Sequence, residues 1–91
     1  MAAEIRFNRI IRTSAAAQPM FPPFIESVEQ AIDHVQELPR DTLRLERWHA
    51  ATLALWAAVD FPADTARLAT ADTMFCRALL AEGWLNEIPP M

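Results

Sequence analysis

The stretch from Trp48 to Phe61, WHAATLALWAAVDF, constrains the fold most, because only three of its residues are not hydrophobic. Its spacing predicts a helix, since at about 100° per residue the larger side chains fall on one broad stripe. That stripe contains Leu45, Trp48, Thr52, Leu55, Trp56 and Val59. The opposite side is mostly alanine: Ala50, Ala54, Ala57 and Ala58. We therefore expect a helix that is buried on more than one face, with its alanines allowing a neighbouring backbone to come close.

Length and hydrophobicity bound the architecture. The chain has 91 residues, which allows one domain with a single core. A domain of this size buries roughly 60–65% of the surface that its unfolded chain exposes. Hydrophobic residues make up 53% of the sequence, including three Trp, five Phe and four Met. Because this is more apolar surface than a small core can hide, we predict a homo-oligomer, most simply a two-fold homodimer.

The charge is acidic overall and unevenly distributed. Eight basic residues against twelve acidic ones give a net charge of -4, and the pI is about 5.0. This balance argues against nucleic-acid binding. The first 25 residues nevertheless carry Arg6, Arg9 and Arg12 against one acid, Glu4, whereas the rest of the chain is strongly acidic. Nucleic-acid binding through these three arginines is therefore the weakest of three functional hypotheses.

Several features concern the cellular compartment. A single cysteine, Cys76, excludes an internal disulfide and is typical of a reducing environment. The first ten residues, MAAEIRFNRI, lack the apolar run and small-residue cleavage site of a secretory signal. The most apolar run, Ala50–Val59, has half the length of a membrane span. We therefore expect a cytoplasmic protein that has no membrane partner.

Two short strands are predicted near the beginning of the chain. In residues 4–12, EIRFNRIIR, apolar side chains alternate as in a half-buried strand, although they also fit helical spacing. Isoleucine and phenylalanine favour strands and no capping residue begins a helix here, so we predict a strand. Residues 13–23 contain three prolines and form a connection. Residues 24–26 then return as a second, antiparallel strand.

Three helices are predicted to follow, over residues 27–38, 42–60 and 64–82. Ser27 and Gln30 form a capping-box pattern, Asp64 is a good N-cap, and Gly83 can end the last helix in a left-handed conformation. Residues 83–91 form a tail. The prediction is one α+β domain over residues 1–91: a short N-terminal two-strand antiparallel element followed by three helices, of which the second is central.

No pattern in the sequence supports catalysis. Glu46-x-x-His49 is half of a di-iron helix motif, but a second motif of this kind is absent. We therefore interpret His49 as a residue at the border of the core, beside Leu53 and Trp56. Cys76 has no evident base to activate it and is interpreted as a small buried hydrophobe. One glycine cannot form the glycine-rich nucleotide loops. We predict a protein without metal, cofactor or enzymatic activity.

Two sets of charged residues each allow two interpretations. Arg40, Arg44 and Arg47 share a helix face and could hold an acidic partner or a phosphate. The simpler interpretation is a solvated face paired with neighbouring acids, which contributes little stability. Asp72 lies at the edge of the apolar stripe of the last helix. It either pairs with an arginine across the fold or lies at the rim of the core.

Several segments resemble a known family. Residues 24–31, FIESVEQA, are similar to the strand-into-helix signature of domain of unknown function family 982, which comprises small proteins of rhizobia and their relatives. The pattern Phe75-x-x-Ala78-Leu79-x-x-x-Gly83-Trp84 is similar to the final helix of that family, and Trp48 and Ala51 lie where its middle helix begins. The resemblance covers residues 24–84 in pieces. Because the family has no established activity, the resemblance implies mainly architecture: a short N-terminal hairpin packed on helices.

Together these observations favour a non-enzymatic protein-interaction or regulatory module that acts as a homodimer. Its candidate surface combines the arginines with the alanine side of the central helix: Arg40, Arg44, Arg47, Ala50, Ala54, Ala57 and Ala58. If neither flanking helix covers these alanines, we expect the second subunit there. The alternative is a small-molecule-binding protein whose apolar pocket is lined by Trp48, His49 and Trp56.

Overall fold

The computed structural model describes residues 5–18 and 20–86 and confirms the α+β fold. A two-stranded antiparallel sheet is followed by four α-helices. The elements are β1 (Arg6–Arg12), β2 (Phe24–Ser27), α1 (Val28–Val35), α2 (Arg40–Leu43), α3 (Glu46–Asp60) and α4 (Thr65–Glu82). A short 3-10 turn, Ala15–Ala17, lies in the connection between the strands. Three predicted parts lie outside the described residues: the strand start at Glu4, Pro19 of the connection, and tail residues 87–91.

The sheet has an irregular register that places an arginine on its inner side. The paired residues are Arg12 with Phe24, Ile11 with Ile25, and Arg6 with Ser27. Phe7 and Ile11 are buried, as the alternating pattern predicts, and Arg9 lies between them. Because three extra residues of β1 are accommodated between the paired positions, the strand bends and Arg9 reaches α4 instead of entering the core.

The predicted helix signals are confirmed at three ends. The Ser27 hydroxyl accepts a hydrogen bond from the Gln30 N–H at 3.1 Å and caps α1. The Asp64 carboxylate accepts from two N–H groups in the first turn of α4, including that of Arg67. Gly83 ends α4 with φ 76°, the left-handed conformation that glycine adopts without steric cost. These short-range hydrogen bonds fix where α1 and α4 begin and where α4 ends.

The predicted helix over residues 42–60 is wrong in one respect, because the structure divides it in two. α2 follows Pro39 and ends at Leu43. Leu45 is extended, with ψ 139°, and serves as the N-cap of α3 without a side-chain hydrogen bond. Neither Gly nor Pro marks this break, which therefore has no sequence signal of the usual kind. The first helix is also shorter than predicted and ends at Val35.

The core lies inside a ring of elements. α1 contacts both β2 and α3, and α4 contacts both β1 and α3, so the sheet and α3 face each other across the core. The Phe75 ring of α4 lies between them, with its centroid 6.3 Å from the Phe7 ring and 6.4 Å from the Trp48 ring. Phe21, from the proline-rich connection, fills the remaining space and is 1% exposed. The prediction that the helix containing Trp48 is central is confirmed.

Candidate interaction surface

The orientation of α3 differs from the predicted one. Its buried residues are Trp48, Ala51, Leu55 and Ala58. The inner face is therefore a mixture of two large and two small side chains, whereas the predicted core stripe placed all the large ones together. Trp56 is 43% exposed and Leu45 is 39% exposed. The helix is rotated toward its alanines because close packing against α4 requires small side chains on both helices, and Ala71 and Ala78 of α4 are buried as well.

The alanine side of α3 is covered within the chain. Ala58 is 1% exposed, and Ala50, Ala54 and Ala57 are half-buried. Ala54 and Ala57 line an open groove of about 360 Å³ with residues from the first turns of α4, and Ala50 lines another of about 400 Å³ with Met74 of α4. Because α4 lies along this side, these alanines are not a free surface for a second subunit.

The three residues of the alternative pocket do not come together. Trp48 has no exposed surface, whereas His49 is exposed and Trp56 is nearly half-exposed. The Trp48 ring packs against Phe21 and Trp84, with centroids 6.1 Å and 5.9 Å away. Trp48 is thus a core residue. His49 does not border the core as predicted, since it lies on the opposite side of α3.

An apolar stripe runs along the outer side of α3, and no element within residues 5–18 and 20–86 buries it. The side chains recur every three or four residues, which places them on one helix face. We define this outer stripe as His49, Leu53, Trp56 and Asp60. Leu53 is 58% exposed and lies directly opposite the buried face. The outer stripe is therefore apolar in the middle, polar at its acidic C-terminal end, and open to a partner.

The three arginines of the predicted surface have different environments. Arg47 donates hydrogen bonds to the Glu82 carboxylate, which also accepts one from the Trp48 Nε1–H at 3.4 Å. The hydrogen bond from Arg47 lowers the pKa of Glu82, and partial burial opposes this effect. Arg40 and Arg44 are exposed and form no ion pair with any residue that the structure describes. The predicted pairing of this face with its local acids is therefore wrong for all three arginines in the described part of the chain, and the partner of Arg47 comes from α4.

Asp72 pairs with an arginine across the fold, which is one of the two alternatives for this acid. The Arg9 guanidinium donates to the Asp72 carboxylate at 3.1 and 3.4 Å. Its Nη2 is also 3.3 Å from the Cys76 sulfur, and the Cys76 thiol lies 3.3 Å from Asp72 Oδ1. Cys76 is 7% exposed, consistent with its interpretation as a buried residue. This cluster joins β1 to α4 and stabilises the bend in the strand.

Within residues 5–18 and 20–86, no three His, Cys, Asp or Glu side chains are grouped closely enough to hold a metal ion. In that same part of the chain, none of the helices combines the length and the apolarity that a membrane crossing requires.

Comparison with known proteins did not assign the chain to a family. No protein-family model, curated protein or solved structure matches it. The resemblance to family 982 therefore stays a prediction.

Sequence reasoning missed three residues that define the surface and its support. Leu53 is the most important of them for the surface. Its sequence signal is helical spacing, because Leu53 follows His49 by four residues and precedes Trp56 by three. Glu82, which anchors Trp48, carries no local signal because its partners lie more than thirty residues away. Phe21 carries no local signal of its burial, because the proline-rich connection has neither helical nor strand periodicity.

Proposed function

We propose that the protein is a non-enzymatic, cytoplasmic interaction module that works by self-association, with a homodimer as its smallest form and the outer stripe of α3 as its contact surface. The observation that carries the proposal is the exposure of Leu53 and Trp56 at the middle of the central helix. Large apolar side chains that recur along one face of a well-packed helix are typical of a protein contact.

The composition of the outer stripe suits such a contact. Trp is among the residues that contribute most to binding when a partner buries them, and Leu53 adjoins Trp56 one turn away. Removing the remaining exposed part of each side chain from water is worth about 1 kcal/mol. His49 and Asp60 border this apolar centre and supply the polar rim that protein interfaces usually have.

A second copy of the chain is the partner that the charge distribution favours. Two of the three arginines of β1 are ion-paired within the chain, Arg6 with Glu26 and Arg9 with Asp72. Among the described residues of β1 and α3, the exposed charges without an ion pair are Arg12 on β1 and the acids Glu46 and Asp60 on α3. In the described part of the chain, α3 therefore offers two acids, and the sheet one arginine, that have no ion-pair partner. Opposite charge on two surfaces of one protein promotes contact between copies.

Sedimentation equilibrium over a range of protein concentrations tests this proposal. We expect the wild type to associate reversibly and Leu53→Glu to stay monomeric, because association would bury an unpaired carboxylate. Leu80→Glu is the matched control, since Leu80 is 51% exposed on α4, away from the outer stripe. Circular dichroism should show that both variants are folded. A wild type that is monomeric at every concentration would contradict the proposal, as would equal association of both variants.

A further inference from the structure

The outer side of the sheet carries a second apolar surface. Ile10 is 49% exposed and Phe24 is 52% exposed. Arg12 lies directly opposite Phe24 in the strand register and two residues after Ile10, so the three side chains share one face of the sheet. We define this sheet patch as Ile10, Arg12 and Phe24. It combines two apolar side chains with a guanidinium, which suits a partner that is apolar and acidic.

The backbone groups at the sheet edges near this patch are already bonded. The Gln30 side-chain amide accepts from the Glu26 N–H at 2.9 Å and donates to the Phe24 carbonyl at 3.1 Å, as a neighbouring strand would. On the other edge, the Asn86 N–H donates to the Arg12 carbonyl at 2.9 Å. These groups are not available for pairing with an added strand. A partner must therefore lie across the face of the sheet.

The sheet patch and the outer stripe of α3 are complementary in charge. Arg12 and Asp60 are both exposed, and neither has an ion-pair partner in the described part of the chain. An apolar centre with a basic residue can thus face an apolar centre with an acidic one.

The two surfaces lie on opposite sides of the domain. α1 and α4 each connect the sheet to α3, and the core rings of Phe7, Phe75 and Trp48 lie in sequence between them. The outward faces of the sheet and α3 therefore point away from each other. A contact between unlike surfaces on opposite sides joins copies head to tail and does not close on itself after two copies.

We infer that the outer stripe of α3 in one copy binds the sheet patch of the next copy, with Asp60 facing Arg12. This inference rests on the proposed self-association and names the surface that the outer stripe recognises. In such a head-to-tail assembly, each internal copy has both of its exposed apolar surfaces covered by its two neighbours. The assembly consequently grows beyond a dimer as the protein concentration rises.

A complementation experiment tests this arrangement. Leu53→Glu disables the outer stripe and leaves the sheet patch intact, whereas Phe24→Glu disables the sheet patch and leaves the outer stripe intact. We expect each variant alone to associate more than about tenfold more weakly than the wild type, because an interface centre is lost. Mixed in equal amounts, they should form a one-to-one heterodimer that does not grow further. Circular dichroism verifies the fold, and Ile10→Glu replaces Phe24→Glu if that variant is unfolded.

Three other results would contradict the inference, and each gives a different pattern of association. If Phe24→Glu and Ile10→Glu associate as the wild type does while Leu53→Glu is monomeric, α3 binds its own copy, and the proposed self-association survives without this arrangement. If both kinds of variant are monomeric and their mixture forms no heterodimer, the outer stripe and the sheet patch do not bind each other, and the inference is wrong. If the wild type is monomeric throughout, the proposed function fails together with the inference.

Discussion

The two sides of α3 contain similar residues and have opposite environments. The inner face carries Trp48 and Leu55, which have no exposed surface, and the outer stripe carries Leu53 and Trp56, which are about half-exposed. Each side thus has one tryptophan and one leucine on the same helix. The difference lies in what surrounds them. The inner pair is enclosed by α1, α4 and the aromatic core, whereas no element in the described part of the chain buries the outer pair.

This comparison separates residues that hold the domain together from residues that are available for binding. A buried tryptophan contributes its full transfer free energy and its packing to the stability of one chain. A half-exposed tryptophan contributes part of that free energy to the fold and the remainder to any partner that covers it. We therefore expect substitutions on the two sides of α3 to affect different measurements.

The largest expected effect is on the fold and concerns Trp48. Trp48→Ala should lower the free energy of unfolding by about 3–5 kcal/mol, because it leaves a cavity among Phe21, Phe75 and Trp84. Trp56→Ala, the matched control on the outer stripe, should lower it by about 1 kcal/mol or less. Urea unfolding followed by circular dichroism at low protein concentration measures both values without a contribution from association. An equal loss of unfolding free energy in the two variants would show that the two sides of α3 contribute equally to the fold, contrary to this comparison.

A smaller effect concerns the acid that supports the inner face. The lowered pKa of Glu82 means that its stabilising contribution is fully present above its ordinary value of 4.5 and is lost as the pH falls through the lower pKa of the folded state. Glu82→Gln keeps an acceptor for the Trp48 Nε1–H but removes the charge. We expect this variant to be less stable by about 1 kcal/mol at neutral pH.

The pH dependence provides the sharper test of Glu82. The difference in unfolding free energy between the wild type and Glu82→Gln should be constant at neutral pH and shrink below pH 4.5. Glu29→Gln is a control, since its carboxylate accepts from the Ile5 N–H, far from Trp48. A difference that stays unchanged down to the acid transition would exclude the proposed charge effect at Glu82.

Much of the fold followed from short-range chemistry in the sequence. The α1 stripe of Val28, Ala31, Ile32 and Val35 and the caps at Ser27, Asp64 and Gly83 depend on residues within one or two turns of each other. Such signals need no knowledge of the rest of the chain. The antiparallel pairing of the first two strands was predictable for the same reason, because they are consecutive in the sequence and β-rich.

The orientation of α3 could not be predicted in this way. Its residues are apolar on nearly all sides, so periodicity alone does not select a buried face. The selection comes from α4, whose small residues Ala71 and Ala78 admit Ala51 and Ala58 of α3. The break at Leu45 has a similar origin, since no local residue requires it. Both depend on long-range packing, and the exposed stripe that we propose as the interface follows from that packing.

The most direct test of the account uses fluorine NMR on protein labelled with fluorotryptophan. The chain has three tryptophans, Trp48, Trp56 and Trp84, and single Trp→Phe variants assign their resonances. As the protein concentration rises from micromolar to millimolar, we predict that the Trp56 resonance shifts and the Trp48 and Trp84 resonances do not. Resonances that all stay unchanged, or a shift confined to Trp48 or Trp84, would contradict the assignment of the outer stripe as the surface of self-association.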